Sequence, residues 1–167
     1  MKNIIGSVLV LVLCAFPAAA QNWDWSEPGS TGVVDHTTAS LGLYSFLGST
    51  FGIGAGNIAT VEARYPVVNT VGSATDISPG WTTLEFTGTD QWAGASITAT
   101  LFEVDKCAST ETQLCSITSS DSDQDTECFS CTFTGPLDFA NNAYYVFVSI
   151  TNSATTEDPR LYSLAVY

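Results

Sequence analysis

No stretch of this chain sustains apolar residues at i, i+3, i+4 and i+7, so no amphipathic helix has a stripe to bury. Short runs of β-branched and aromatic residues recur instead, cut by Gly, Pro, Asn, Asp and Ser. Thr83–Thr87 alternates with Leu84 and Phe86 on one side, as a half-buried strand should. Ser96–Val104 places Ile97, Ala99 and Leu101 on one face and then shifts to Phe102 and Val104, which predicts a bulge or a strand crossing between sheets. Tyr144–Ile150 is apolar on both faces as far as Ser149 and reads as a central strand, and Leu161–Tyr167 reads as a terminal one. Candidates at 40–47, 58–64, 67–71, 113–119 and 129–134 bring the expected count to roughly nine. Pro79-Gly80, Gly135-Pro136 and Asp158-Pro159 punctuate them. The fold class implied is all-β: an antiparallel β-sandwich, with a jelly roll among the arrangements so many short strands allow.

The first twenty residues have a different character. Lys2 precedes an apolar run from Ile4 to Phe16, and Ala18-Ala19-Ala20 ends it, the layout of a secretory signal peptide. The run is shorter than the roughly 20 residues a membrane helix needs. Cys14 does not mark a lipoprotein, because Leu13 stands where that processing requires a small residue. The expected organisation is therefore a signal peptide over 1–20, a polar N-terminal arm over 21–34 marked by Gly and Pro, and one sandwich domain over 35–167. Such a protein is secreted or held at the cell surface, with no membrane association after cleavage.

Charge narrows the partners. The chain has 17 acidic residues against 4 Lys and Arg, a formal net of −13. Without Lys2 the remainder keeps Arg64, Lys106 and Arg160, or 3 − 17 = −14. That balance repels phosphate backbones and anionic lipid, so neither nucleic acid nor a membrane surface is an expected partner.

Four cysteines follow the leader, and an even number in an exported chain implies two disulfides. Cys107–Cys115 is the expected pair on the arms of one hairpin, leaving Cys128–Cys131. A redox role for that C-x-x-C would want a helix N-terminus at the first thiol, whereas Phe129, Cys131 and Phe133 alternate as in a strand.

Asp121, Asp123, Asp125 and Glu127 place carboxylates at alternate positions, which can converge on calcium. The run departs from a calcium loop of the helix-loop-helix kind at Thr126, where Gly is needed, and at Thr132, where Glu is needed. The competing reading is a solvated acidic turn. Trp81 and Trp92 fall beside expected turns and are candidate ligand-binding rings, since aromatic faces stack on the C–H faces of sugars. They could equally cap the sandwich core. Trp23 and Trp25 share one side of the extended arm and are candidate assembly contacts.

Catalysis has little to stand on. His36 is the only histidine and has no nucleophile signature beside it. Gly52-Ile53-Gly54-Ala55-Gly56 has no following helix to make a phosphate cradle and reads as a flexible or closely packed segment. The sequence therefore predicts a non-catalytic structural or adhesive protein, a fibre or surface-layer subunit that associates with copies of itself through the arm or its sheet edges. A carbohydrate-binding module recognising surface glycans is the alternative, and a secreted hydrolase ranks last.

Overall fold

Along Thr83–Thr89 the side chains of Leu84 and Phe86 are fully buried while Thr83, Glu85 and Thr87 are half-exposed, and the same period of two recurs in strand after strand. A computed structural model describes residues 24–70, 78–90, 94–119 and 125–167. Among these residues it contains eleven strands: β1 (Trp25–Pro28), β2 (Val33–Val34), β3 (Tyr44–Leu47), β4 (Thr50–Ile53), β5 (Thr60–Val67), β6 (Thr83–Thr89), β7 (Ser96–Asp105), β8 (Glu111–Thr118), β9 (Glu127–Thr132), β10 (Asn142–Thr151) and β11 (Arg160–Val166). One short helix, α1 (His36–Leu41), and a 3₁₀ turn at Gly29–Thr31 complete the elements.

The strands form two antiparallel sheets. One has the order β3-β4-β11-β6-β9 with β1 also paired to β11, and the other has the order β2-β5-β10-β7-β8. From β4 to β11 the chain places β4, β6, β9 and β11 in the first sheet and β5, β7, β8 and β10 in the second. That is the winding of a jelly roll. The inner faces meet through Phe51, Leu84, Phe86, Leu161, Leu164 and Val166 on one side and Val61, Ala63, Tyr65, Ile97, Leu101, Val146 and Val148 on the other, all without solvent exposure. Burying such side chains contributes roughly 1.5–3 kcal/mol each, which makes this contiguous core the main source of stability.

The N-terminal segment is not a loose arm where it is described. Trp25 is 1% exposed and pairs through β1 with Val166 at the end of β11. Gly29 packs so closely on the Leu161 carbonyl that a Cβ has no room there, and the buried Tyr65 hydroxyl donates to the Gly29 carbonyl. Val33 and Val34 then add to β5 as an edge strand. Residues 25–34 are thus part of the sandwich, because a Trp, two tight glycine contacts and two strand pairings all bury against it. Gln21, Asn22 and the leader at 1–20 lie outside the described residues.

Other elements also differ from expectation. The stretch 40–47 splits at Gly42, whose φ of 62° ends α1 and leaves only Tyr44–Leu47 as strand. β5 ends at Val67, and residues 68–70 are not strand; residue 71 lies outside the described residues. Gly52 and Ile53 belong to buried β4, where a Cβ on Gly52 would meet the Pro159 carbonyl at 2.8 Å. The irregularity foreseen near Phe102 exists, but it sits in the partner strand: Leu101 pairs with Cys115 and Phe102 with Gln113, so Leu114 is the extra residue. β7 itself runs on without changing sheet.

The disulfide pairing is also corrected. Cys115 is bonded to Cys131 with Cα atoms 6.1 Å apart, while Cys107 and Cys128 are free and exposed. Cys115 points inward from β8 and Cys131 from β9, the edge strands of the two sheets, so the bond staples the sandwich shut along one edge. Cys128 and Cys131 are three apart in an extended strand, about 10 Å, on opposite faces. That exceeds the roughly 7 Å a disulfide can span. Cys107 sits in the β7–β8 turn, held where its backbone N–H donates to Asp105 at 2.7 Å, whereas Cys115 lies back along the ladder opposite Leu101.

Candidate functional site

The outer face of the β2-β5-β10-β7-β8 sheet departs from the polar surface that alternation alone would give. At its centre the outward positions of β10 carry Tyr145 and Phe147, and β7 adds Phe102 directly across from Tyr145. The Phe102 and Tyr145 rings stack 5.3 Å apart at 19°. From the other neighbouring strand, Arg64 stands in register with Phe147 and lays its guanidinium 5.5 Å from that ring's centroid and 6.0 Å from that of Tyr145. A guanidinium over an aromatic face gains attraction from the ring quadrupole. The result is a continuous strip, Phe102–Tyr145–Arg64–Phe147, spanning three strands. Its rings are half-buried and Arg64 is exposed.

The strip is held from two directions. Arg64 Nη1 donates to Asp35 Oδ2 at 2.7 Å, and Asp35 Oδ1 simultaneously accepts the Thr37 N–H at 3.0 Å as the N-cap of α1. The Thr37 N–H, and after it Arg64, hold the Asp35 carboxyl below its ordinary range. Asp35 in turn raises the Arg64 guanidinium. Burial pushes the Tyr145 hydroxyl up, and Glu111 adds to this while a hydrogen bond with Arg64 opposes it. Around the strip lie short hydroxyl pairs, Thr98 with Thr118 at 2.9 Å, Thr100 with Ser116 at 2.8 Å and Thr60 with Thr151 at 2.9 Å. Glu62 and Ser149 border it on β5 and β10, and Glu111 and Gln113 on β8. Chemically this is an ordered apolar ridge with one fixed cation, bordered by hydroxyl, carboxylate and amide groups. It suits a ligand with C–H patches and many hydroxyls.

The residues singled out in the sequence fall elsewhere. Trp81 is 3% exposed and meets Phe139 edge-to-face at 6.1 Å, with Phe139 against Tyr144 at 4.9 Å. It caps one end of the core and cannot present a ring face to a ligand. Trp25 is in the core as described above, and Trp23 and Trp92 lie outside the described residues. Of the acidic run, Asp121 and Asp123 lie outside the described residues, Asp125 is exposed and Glu127 is half-buried on β9 opposite Gly88. Among the described residues no three His, Cys, Asp or Glu groups converge as metal ligands. His36 is exposed at the start of α1. No helix among the described residues is long and apolar enough to cross a membrane. Sequence reasoning missed Phe102, Tyr145, Phe147, Arg64 and Asp35. The signal available was that Phe102 is out of phase with the inward residues of its run, and that Tyr144–Ile150 is apolar on both faces.

No protein-family model matches the chain, and no curated protein does. Among solved structures it resembles a family 36 carbohydrate-binding module in complex with calcium and xylotriose, at 8% identity over 86% of this chain and 99% of that one, with a TM-score of 0.47. It also resembles a family 61 module in complex with β-1,4-galactotriose, at 10% identity over 86% and 87% of the two chains, with a TM-score of 0.45. A family 29 module complexed with cellulohexaose aligns over 84% and 78%, at 15% identity and a TM-score of 0.28. The expectation of a fibre or surface-layer subunit is corrected here. The segment meant to dock on a neighbour is packed into this chain's own sandwich, with Trp25 buried and β1 paired to β11.

Proposed function

We propose that the protein binds carbohydrate without transforming it, and that the outer face of the β2-β5-β10-β7-β8 sheet is the binding surface. The observation that supports this is the ordered strip Phe102–Tyr145–Arg64–Phe147, bordered by Thr, Ser, Glu and Gln side chains. Sugars present apolar C–H groups between hydroxyls. Aromatic carbon accommodates the first, and the polar border exchanges hydrogen bonds with the second. The strip is preorganised by its own stacking and by Asp35, so little side-chain entropy is lost on binding.

The test is native gel electrophoresis of the protein in gels containing soluble neutral polysaccharides, followed by calorimetry on any polymer that retards it. Phe102→Ala and Tyr145→Ala are expected to weaken binding at least about tenfold, in the range of central aromatic contacts. Each removes a cross-strand pair that contributes up to about 1 kcal/mol, so the folded state survives and circular dichroism checks it. A folded wild-type protein retarded by no polysaccharide, or variants that bind as tightly as wild type, would remove this reading.

A further inference from the structure

We infer that Asp35 is a specificity residue that makes the proposed sugar-binding face accept uncharged glycans and turn away acidic ones. The inference rests on the carbohydrate-binding reading and adds the class of glycan. Only three cationic side chains belong to the described residues, and two are engaged elsewhere: Lys106 donates to the Phe139 carbonyl at 2.7 Å, and Arg160 pairs with Asp158 at 2.9 Å on the other sheet. Arg64 is therefore the single cation on this face. A lone exposed guanidinium is the group a uronate carboxylate or a sulfate would seek, because its fork matches two oxygens at once.

Asp35 already fills that role. Its Oδ2 sits 2.7 Å from Arg64 Nη1, and the other oxygen is fixed by the Thr37 N–H, so the carboxylate cannot swing aside without uncapping α1. The remaining charges at the strip, Glu62 and Glu111, are negative. An acidic glycan that reached the remaining N–H groups would come to rest beside three carboxylates, a like-charge encounter that opposes binding. A neutral glycan meets no such barrier and can still use the guanidinium's free N–H groups.

Stability does not account for the pair. Its side chains are 50% and 21% exposed, where solvent screening leaves an ion pair contributing little to stability. The substitution Asp35→Asn isolates charge from structure, since Asn caps a helix about as well as Asp. The experiment measures affinity for a neutral polymer, hydroxyethylcellulose or soluble xylan, and for polygalacturonate, at low ionic strength, on wild type and Asp35→Asn. Wild type is expected to bind the better neutral polymer at least about tenfold more tightly than polygalacturonate. In Asp35→Asn the ratio of polygalacturonate to neutral affinity is expected to rise about tenfold, and added salt should erase that gain. Wild type that binds polygalacturonate as well as a neutral polymer, or a folded Asp35→Asn protein with an unchanged ratio, overturns the selectivity while leaving sugar binding standing. A wild type that binds neither removes the sugar-binding reading and this inference together.

Discussion

Two ways of pairing the cysteines make opposite demands on stability, and a pair of double variants separates them. In the structure one bond joins Cys115 to Cys131 across 16 residues of sequence and across the two sheets. Opening a loop of that length returns about 10 cal/mol/K of conformational entropy to the unfolded chain, or about 3 kcal/mol at 25 °C in the chain-entropy treatment. For a chain of this size that corresponds to a drop in Tm of about 6–12 °C. Cys115→Ala/Cys131→Ala should show that loss, in thermal melts and in urea titrations with no added reductant. Cys107→Ser/Cys128→Ser alters two exposed thiols and should stay within about 0.5 kcal/mol of wild type. Thiol titration of the denatured protein freed of residues 1–20 should count two reactive thiols, Cys107 and Cys128. The reasoning fails if that titration finds none, or if the Cys107/Cys128 variant loses as much stability as the Cys115/Cys131 variant. Either result would mean that Cys107 and Cys128 are not free thiols but are held in a second disulfide.

Two further outcomes follow from the same geometry. Trp25→Ala should cost about 3–5 kcal/mol by denaturant melt, the range for deleting a buried Trp. A loss below about 1 kcal/mol would mean that β1 is not packed as described. Asp35, Asp105 and Asp138 all have carboxyls lowered from 3.8, by N–H donors from Thr37, from Ala108 and Cys107, and from the Asn141 side chain first with Ala140 after it. A folded-state pKa below the unfolded one gives stability that is present above about pH 4 and is lost as pH falls through the folded value. Melting temperature should therefore fall as pH drops below 4, and Asp105→Asn should flatten that fall, whereas an unchanged Tm down to pH 2 would contradict the three hydrogen-bonded carboxylates.

How much of this the sequence revealed depends on whether a feature is local. The sandwich was legible because period-two alternation is written residue by residue: Leu84 and Phe86 point inward in whatever partner strand they face. Two-residue β2 and four-residue β1 with Pro28 lack enough alternating positions to show a period, so the segment 25–34 looked like a tail. Only tertiary contact with β11 and Tyr65 makes it core. The disulfide failed for the same reason, since nearness in sequence favoured Cys107–Cys115 while nearness in space is set by which edges of two sheets close on each other.

The binding face shows the limit most clearly, because a Trp beside a turn and a Phe on a strand carry opposite implications once two sheets are stacked. A sandwich has open ends, and a large ring next to a turn is placed to plug one, as Trp81 does with Phe139 and Tyr144. A ring in the middle of a strand is core on one face and surface on the other, and a strand apolar on both faces does not say which of its rings points outward. Tyr145 and Phe147 are assigned to the outer face by the burial of Val146 and Val148 between them. Their partner Phe102 joins them only through the β7–β10 register, and Arg64 only through β5–β10. Asp35 is more remote still, a helix cap that reaches a strand residue 29 positions away. Each member is ordinary in its own segment, and the chemistry proposed for the face arises from the pairing of four segments that the sequence keeps apart.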